Sequence, residues 1–551
     1  MKKAKRKVST KASKSAKPKA PAKKRAGGGN PILNILNDMD EDVLAMLKAA
    51  MAAEIGPGGD LFGPDDPVEL FEAYLEDCAD ESGDEDEKNE LMVDLVESLD
   101  KVRIDANGGD PDARAKIKEI YGLLKDAIAN GALGPIDLMM TGKMLSDAGW
   151  EVPEILRDAL GKAMEATQAH DLGDADASGL TASLLELVEQ NGMNAFDVHE
   201  QLNSVFAGLP PEFGATLAPA LVDEGNAVVR QAVAGFALHA DPGLARSALA
   251  ALAAAAREPV ESLLIERLVC MRPWLPADRQ GWLDAAVRAM RANALPPAGR
   301  QTPKLLKCFA SVCDGSGASN LVVEQKAGAQ WRVATVMIKA TGVAEAMTIP
   351  ELRKSDMEGI MGQLGATMPT GETDLAGLAR ILGLALADNL ASGVAPPFKL
   401  VEIVESLGLD FVHPENTPPH EVIAALLADL PPEQTDAAAA TKAHAAMAGG
   451  EFSDQWFEAG EALEQAVASV KGKERRIAKV LQSYLPARRQ FWARQCARSA
   501  LALRGEDSGP RAKWKQLALV GRDIASDTPL EKIPLIRRIA ELSVEVFEGR
   551  M

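Results

Sequence analysis

The chain has 551 residues, a formal net charge of -20 and only 4% aromatic residues. That length exceeds what one compact core usually organises, so two to four domains or a repeat array are expected. Few aromatics and abundant alanine suit close-packed helices better than pleated sheets, and the acidity of the whole disfavours broad adhesion to nucleic acid or anionic membrane.

Charge is segregated at the N-terminus. Residues 1–29 carry twelve cations, Lys2, Lys3, Lys5, Arg6, Lys7, Lys11, Lys14, Lys17, Lys19, Lys23, Lys24 and Arg25, and no acid, which leaves -32 on the remainder. Such a segment has too little apolar surface to offset chain entropy, so residues 1–30 read as a disordered basic tail ending in a triple glycine. Its Lys/Ala/Pro/Ser mixture is similar to the tails of linker histones and histone-like bacterial proteins. That resemblance of composition implies contact with phosphates, of nucleic acid or another polyanion, without base reading. A solubilising terminus and a targeting address are the other readings of the same residues.

No apolar run follows the lysines, so neither a secretory signal nor an amphipathic transit helix is expected. Five scattered cysteines, Cys78, Cys270, Cys308, Cys313 and Cys496, argue for a reducing compartment, and a cytoplasmic or nucleoid-associated location is expected. The longest apolar runs are short or, as at Leu375–Leu386, interrupted by Arg380, so no membrane segment is expected.

Residues 31–170 read as an acidic helical region. A helical period runs through Ile32, Ile35, Leu36, Met39, Val43, Leu44 and Leu47, and helices are expected at 89 onward, 112–130, 135–147, 153–170 and 179–191. Residues 60–100 hold seventeen Asp/Glu against Lys88 alone, a run read as a solvated acidic surface, with weak cation collection or docking of the basic tail as alternatives. Asp174-Ala-Asp176-Ala-Ser178-Gly179 imitates the start of a calcium loop, but Leu185 stands where the bidentate glutamate is needed. A helix-capping loop is the simpler reading.

Residues 171–313 read as a further helical region. Asn226-Ala-Val-Val-Arg230-Gln-Ala-Val-Ala-Gly-Phe236-Ala-Leu238, then Asp241-Pro242 and Leu244-Ala-Arg246-Ser-Ala-Leu249-Ala-Ala-Leu252, place a short turn before a V-R-x-A-x-x-A-L helix. Over about residues 212–292 this resembles HEAT-like helical repeats, which implies an α-solenoid of stacked helix pairs; an irregular helical bundle is the alternative. The period changes at Leu321–Lys326 and Trp331–Lys339, read as a single β-hairpin insertion at 314–350, with Ala346–Ile349 as a candidate third strand. Residues 351–551 return to helix, closing on a stripe of Leu535, Ile539, Leu542 and Val546. The expected fold is therefore all-α, an irregular solenoid with one small hairpin near 320–340.

Chemistry-bearing motifs are sparse. Cys308 and Cys313 sit at an apparent helix end without partner ligands, the six histidines show no HExxH spacing, and Gly315-Ser316-Gly317 lacks the strand and the Lys-Ser/Thr of a phosphate loop. No metal, cofactor or catalytic residue is assigned. Lys471–Arg522 holds fourteen Lys/Arg against three acids, and helical projection puts Arg475, Arg476, Lys479, Arg494 and Arg498 off the apolar stripe as a second basic face. Its aromatics share that stripe, so a solvated surface competes with an anion-binding one. The functional expectation is a non-enzymatic scaffold or adaptor for a protein partner. Nonspecific phosphate binding through the tail is the alternative, and an enzyme with a motif-less helical active site a further one.

Overall fold

A computed structural model describes residues 66–79, 85–107, 110–168, 193–207, 211–223, 226–257, 259–297, 302–367, 370–428, 430–449, 454–505 and 512–549. The basic tail, the helix expected from Ile32, the calcium-like loop at Asp174 and the helix expected at 179–191 lie outside those residues.

Five helices open the described chain: α1 (Pro67–Ala79), α2 (Glu85–Asn107), α3 (Pro111–Ala129), α4 (Pro135–Asp147) and α5 (Glu154–Gln168). Local chemistry sets their starts. Asp110 accepts from the Asp112 amide ahead of Pro111, which satisfies an orphan donor where proline lacks one. Trp150 Nε1 donates to Leu99 O at 2.9 Å and fixes the end of α4 against α2.

The next six helices form two layers: α6 (Ala195–Ala207), α8 (Ala227–Ala234) and α10 (Ser262–Met271) pack in one, α7 (Pro211–Asp223), α9 (Pro242–Ala255) and α11 (Ala277–Arg291) in the other. The motif residues place the turns, because Asn226 caps α8 and Asp241 caps α9 ahead of Pro242. Arg267 of α10 then reaches out of the layer. Its Nε and Nη2 donate to Glu405 at 2.9 and 3.2 Å, and its guanidinium stacks 4.2 Å over Phe196.

The all-α expectation is overturned at residue 304. Instead of one hairpin there is a five-stranded antiparallel sheet of order β4-β3-β2-β1-β5: β1 (Lys304–Ser311), β2 (Ser319–Ala327), β3 (Gln330–Lys339), β4 (Gly342–Leu352) and β5 (Thr370–Thr373). The hairpin is its centre, with Val322 opposite Thr335 and Lys326 opposite Trp331. The expected third strand at Ala346–Ile349 lies within β4, whereas β1 and β5 add a second wing. Cys308 is therefore in a strand and Cys313 in the β1–β2 loop, not at a helix end. Gly315–Gly317 follows a strand, but an antiparallel strand and not a helix comes next, so the loop does not cradle phosphate as a phosphate loop does.

Pleating divides the sheet between two cores. Cys308, Ala310, Leu321, Val323, Ala334, Val336, Ile338 and Val343 face the main core, under α13 (Leu375–Ser392), α14 (Lys399–Ser406) and α19 (Leu485–Ala502). Val322, Val333 and Leu352 join Met357 in a separate small cluster beneath α12 (Lys354–Thr367), with Phe309, Trp331, Ile349, Ile360 and Met361 at its margin.

Both sheet edges are closed. At β4, Val343 N–H donates to Asn389 Oδ1 at 2.8 Å and Asn389 Nδ2 donates back to Val343 O at 3.0 Å, so one amide side chain imitates a neighbouring strand. Further along, Pro350, Glu345 and Glu351 occupy the same edge. At β5, residues 502–505 press on the outside: a Cβ on Gly371 would meet Ala502 O at 2.3 Å, and one on Gly505 would meet Glu372 O at 1.7 Å. Only hydrogen fits where backbone meets backbone. Gly371→Ala is expected to lower stability by about 1–3 kcal/mol, read as an earlier urea midpoint; an unchanged midpoint would show that this closure is soft.

The C-terminal region adds α15 (Pro419–Leu427), α16 (Ala437–Ala448), α17 (Glu461–Val467), α18 (Lys473–Lys479), a π-helical turn at Val480–Tyr484, α19, α20 (Lys513–Ala525) and α21 (Pro534–Phe547). The expected stripe of α21 is inward, with Leu535, Ile539 and Leu542 buried and Val546 half-buried. Helix α13 is long and apolar enough to cross a membrane by length and composition alone, with 18 residues at mean hydropathy 1.3, and half of it is buried in the fold.

Candidate functional site

The second basic zone comes from α18, the π-helical turn, α19 and α20. Ile477, Val480 and Leu481 are buried as the projection required, and so are Trp492, Cys496 and Trp514. The five cations assigned to one face part company. Arg475 and Lys479 are exposed, a turn apart on α18. Arg476 donates to Glu548 at 2.6 Å and lies 5.1 Å from the Phe547 ring centroid. Arg494, largely exposed, donates to Asp388 at 2.9 Å, while Arg498 is only 5% exposed and binds the other oxygen of the same carboxylate.

Arg498 is thus a correction to the projected face. One turn beyond Arg494, α19 passes beneath α13, and the position that looked polar by spacing points into the core toward Asp388. The neighbouring Arg489 is spent on backbone, with donations to Ile524 O at 2.8 Å and Thr528 O at 3.0 Å. Seven of the fourteen cations, Lys473, Arg476, Arg488, Arg489, Arg498, Lys515 and Arg522, are buried or half-buried within the fold.

A second buried carboxylate organises the same helices. Glu458 accepts from Trp492 Nε1 and Arg488 Nε, both at 2.8 Å, and from Tyr484 OH at 3.2 Å, while its backbone N–H donates to Ser543 Oγ. Burial and the Glu458 charge push the Tyr484 phenol up to about 12, so it stays protonated and acts as a donor. Asp388 and Glu458 were missed in the sequence. Their signal was an acid within apolar surroundings, Leu384-Ala-Leu-Ala-Asp388 and Trp456-Phe-Glu458.

Cys308, Cys313, Cys496 and His199 are all buried. Burial pushes the Cys308 thiol up to about 11 and raises Cys313 and Cys496, which suppresses the nucleophilic thiolate. His199 is buried between Phe236 and Phe398, at 4.7 and 4.9 Å between ring centroids, and its Nδ1–H donates to Ala232 O. Desolvation lowers it to about 4. Among the described residues, no three His, Cys, Asp or Glu side chains converge as a metal site.

Where β5 meets the start of α13 there is a half-open cleft of about 1020 Å3, lined by Phe309, Glu372, Asp374, Gly377, Arg380 and Arg504 among others. Two carboxylates and two guanidiniums share its wall. Asp374 caps α13 through the Gly377 amide at 2.7 Å, and Arg380 lies 3.4 Å from Glu415. A lining of mixed sign beside an aromatic ring suits a peptide surface better than a phosphate group. Phe309 also borders the small core under α12, so cleft and cluster adjoin.

Two stretches resemble Y4lR domains. Residues 210–294 match the family model described as the Y4lR second domain, and residues 420–548 match the Y4lR C-terminal helical domain. The first stretch coincides with the two-layer helices α7 to α11, the second with α15 to α21, and the sheet lies between them. A Sinorhizobium fredii (strain NBRC 101917 / NGR234) relative, described as uncharacterized protein y4lR, is 27% identical over 488 residues. That alignment covers 82% of this chain and 87% of the relative, so the likeness extends well beyond the two matched stretches. No solved structure matches.

Proposed function

We propose that the chain is a non-enzymatic helical scaffold that takes a protein partner on the α12 side of its sheet, in a cytoplasmic or nucleoid-associated setting. The observation that carries this reading is the small apolar cluster under α12, separate from the main core and adjoining the cleft at Phe309. Apolar surface with a polar rim is the usual anatomy of a protein interface. The two layers of α6 to α11 support the HEAT-like part of the reading, since stacked helix layers offer extended binding surfaces. Recovery of the native protein from cells, with and without nuclease, is expected to yield a protein partner that survives nuclease treatment. Loss of every partner on nuclease treatment would overturn the scaffold reading.

A second reading is nonspecific phosphate contact through Lys2–Arg25, and the exposed pair Arg475 and Lys479 favours it as an auxiliary surface. On duplex DNA, log K is expected to fall with log salt at about -0.9 per neutralised phosphate. Removal of the tail should abolish that binding. Residual salt-sensitive binding would implicate α18.

A further inference from the structure

We propose that α12 is a displaceable cover, and that the sheet face beneath it receives an amphipathic helix of a partner protein with bulky apolar side chains at i, i+3 and i+4. This deepens the scaffold reading and rests on it. The occupant is argued from what the seat already holds. Met357, Ile360 and Met361 of α12 present that spacing to Val322, Val333, Leu352, Trp331 and Ile349, so the face is shaped for one helix.

Three observations make the present helix weak in that seat. Its sequence, KSDMEGIMGQLGAT, places glycine at 359, 362 and 365, the poorest helix former after proline. No packing explains the first of them, because a Cβ on Gly359 would meet nothing within 4 Å. The ion pairs at its start, Arg353–Asp356 and Lys354–Glu358, run along the helix itself and do not bind it to the sheet.

The seat also contains features of a surface that reopens. Methionine supplies both buried and marginal contacts on the helix, and its unbranched thioether adapts to a different partner. Glu324 lies on the same sheet face as Val322, largely buried. Burial, together with Glu358 and Glu372, raises its proton affinity against the opposing pull of Lys307 and Lys354, so the seat contains a carboxylate whose charged form burial disfavours. Glu351, at φ 58° just ahead of α12, is the only non-glycine residue with positive φ among the described residues. It sits where β4 bulges between the Leu352–Trp331 and Ile349–Val333 pairs, so the chain turns out of the sheet immediately before α12.

The test uses the full chain. By hydrogen exchange, the amides of 357–361 are expected to exchange at least about tenfold faster than those of the α13 interior, as a local opening would allow. Gly359→Ala should slow that exchange about two- to fivefold and leave α13 unchanged. A labelled peptide of residues 354–367, with alanine at 359, 362 and 365, is the docking probe. It should bind the native chain and bind Gly359→Ala about two- to fivefold more weakly, because the variant populates the open state less. Protection of α12 equal to that of α13, absence of peptide binding, or binding unaffected by Gly359→Ala would each overturn the displaceable cover. None of these touches the scaffold reading, which fails separately if no nuclease-resistant partner is recovered.

Discussion

Asp388→Ala is expected to destabilise the fold by about 3–5 kcal/mol, because it leaves the buried Arg498 guanidinium without its counter-charge. Arg498 Nη1 already has no hydrogen-bond partner, so the position cannot absorb the loss by re-pairing. The control is Arg494→Ala. Arg494 shares the same carboxylate, but its side chain is 45% exposed, and its removal should cost less than about 1 kcal/mol. The double variant Asp388→Leu with Arg498→Met should recover much of the stability, since a matched apolar pair carries no desolvation cost. Urea midpoints for the three variants decide the matter; equal losses from Asp388→Ala and Arg494→Ala would refute the assignment of Arg498 as the buried partner.

The second large effect is on acid stability. Burial lowers the folded pKa of His199 from 6.5 to about 4, so between those values the unfolded chain binds the proton and the folded chain does not. Stability contributed at this position is fully present above pH 6.5 and is lost as pH falls toward 4, by up to about 3 kcal/mol. His199→Gln retains a donor for Ala232 O and does not titrate. It should flatten the decline between pH 7 and pH 4 relative to the native chain. A native-like slope in the variant would place the acid sensitivity elsewhere.

The helices were legible where their ends carry their own chemistry. Asp110-Pro111, Asn226 and Asp241-Pro242 each supply a cap at the position the structure uses, and the interiors repeat at the helical period. The sheet was half legible. β2 and β3 are joined by a short Gly-containing turn and show dense β-branched residues, but β1, Lys-Leu-Leu-Lys-Cys-Phe-Ala-Ser, has a composition a helix could share. Strand β5 is four residues long and pairs with β1 across some sixty residues of chain, a long-range pairing that no local pattern encodes.

The basic zone failed for a related reason. Helical projection separates Arg494 and Arg498 from the apolar stripe correctly, but it does not say that a second helix carries Asp388 across that polar side. A cation read from spacing is solvent-facing only if no other element covers it. Among the described residues nothing covers Arg475 and Lys479, whereas α13 covers Arg498.

The division of the sheet between two cores also orders events during synthesis. Helix α12 follows β4 at once, so the face with Val322 and Val333 can be covered soon after β4 itself emerges. The opposite face, with Leu321, Val323 and Val336, needs α19, which ends at Ala502. At about 5–20 residues per second that cover arrives roughly 8–30 seconds after β4. For that interval α13 and α14, made before α19 and packed on the same side of the sheet, shelter its larger apolar face.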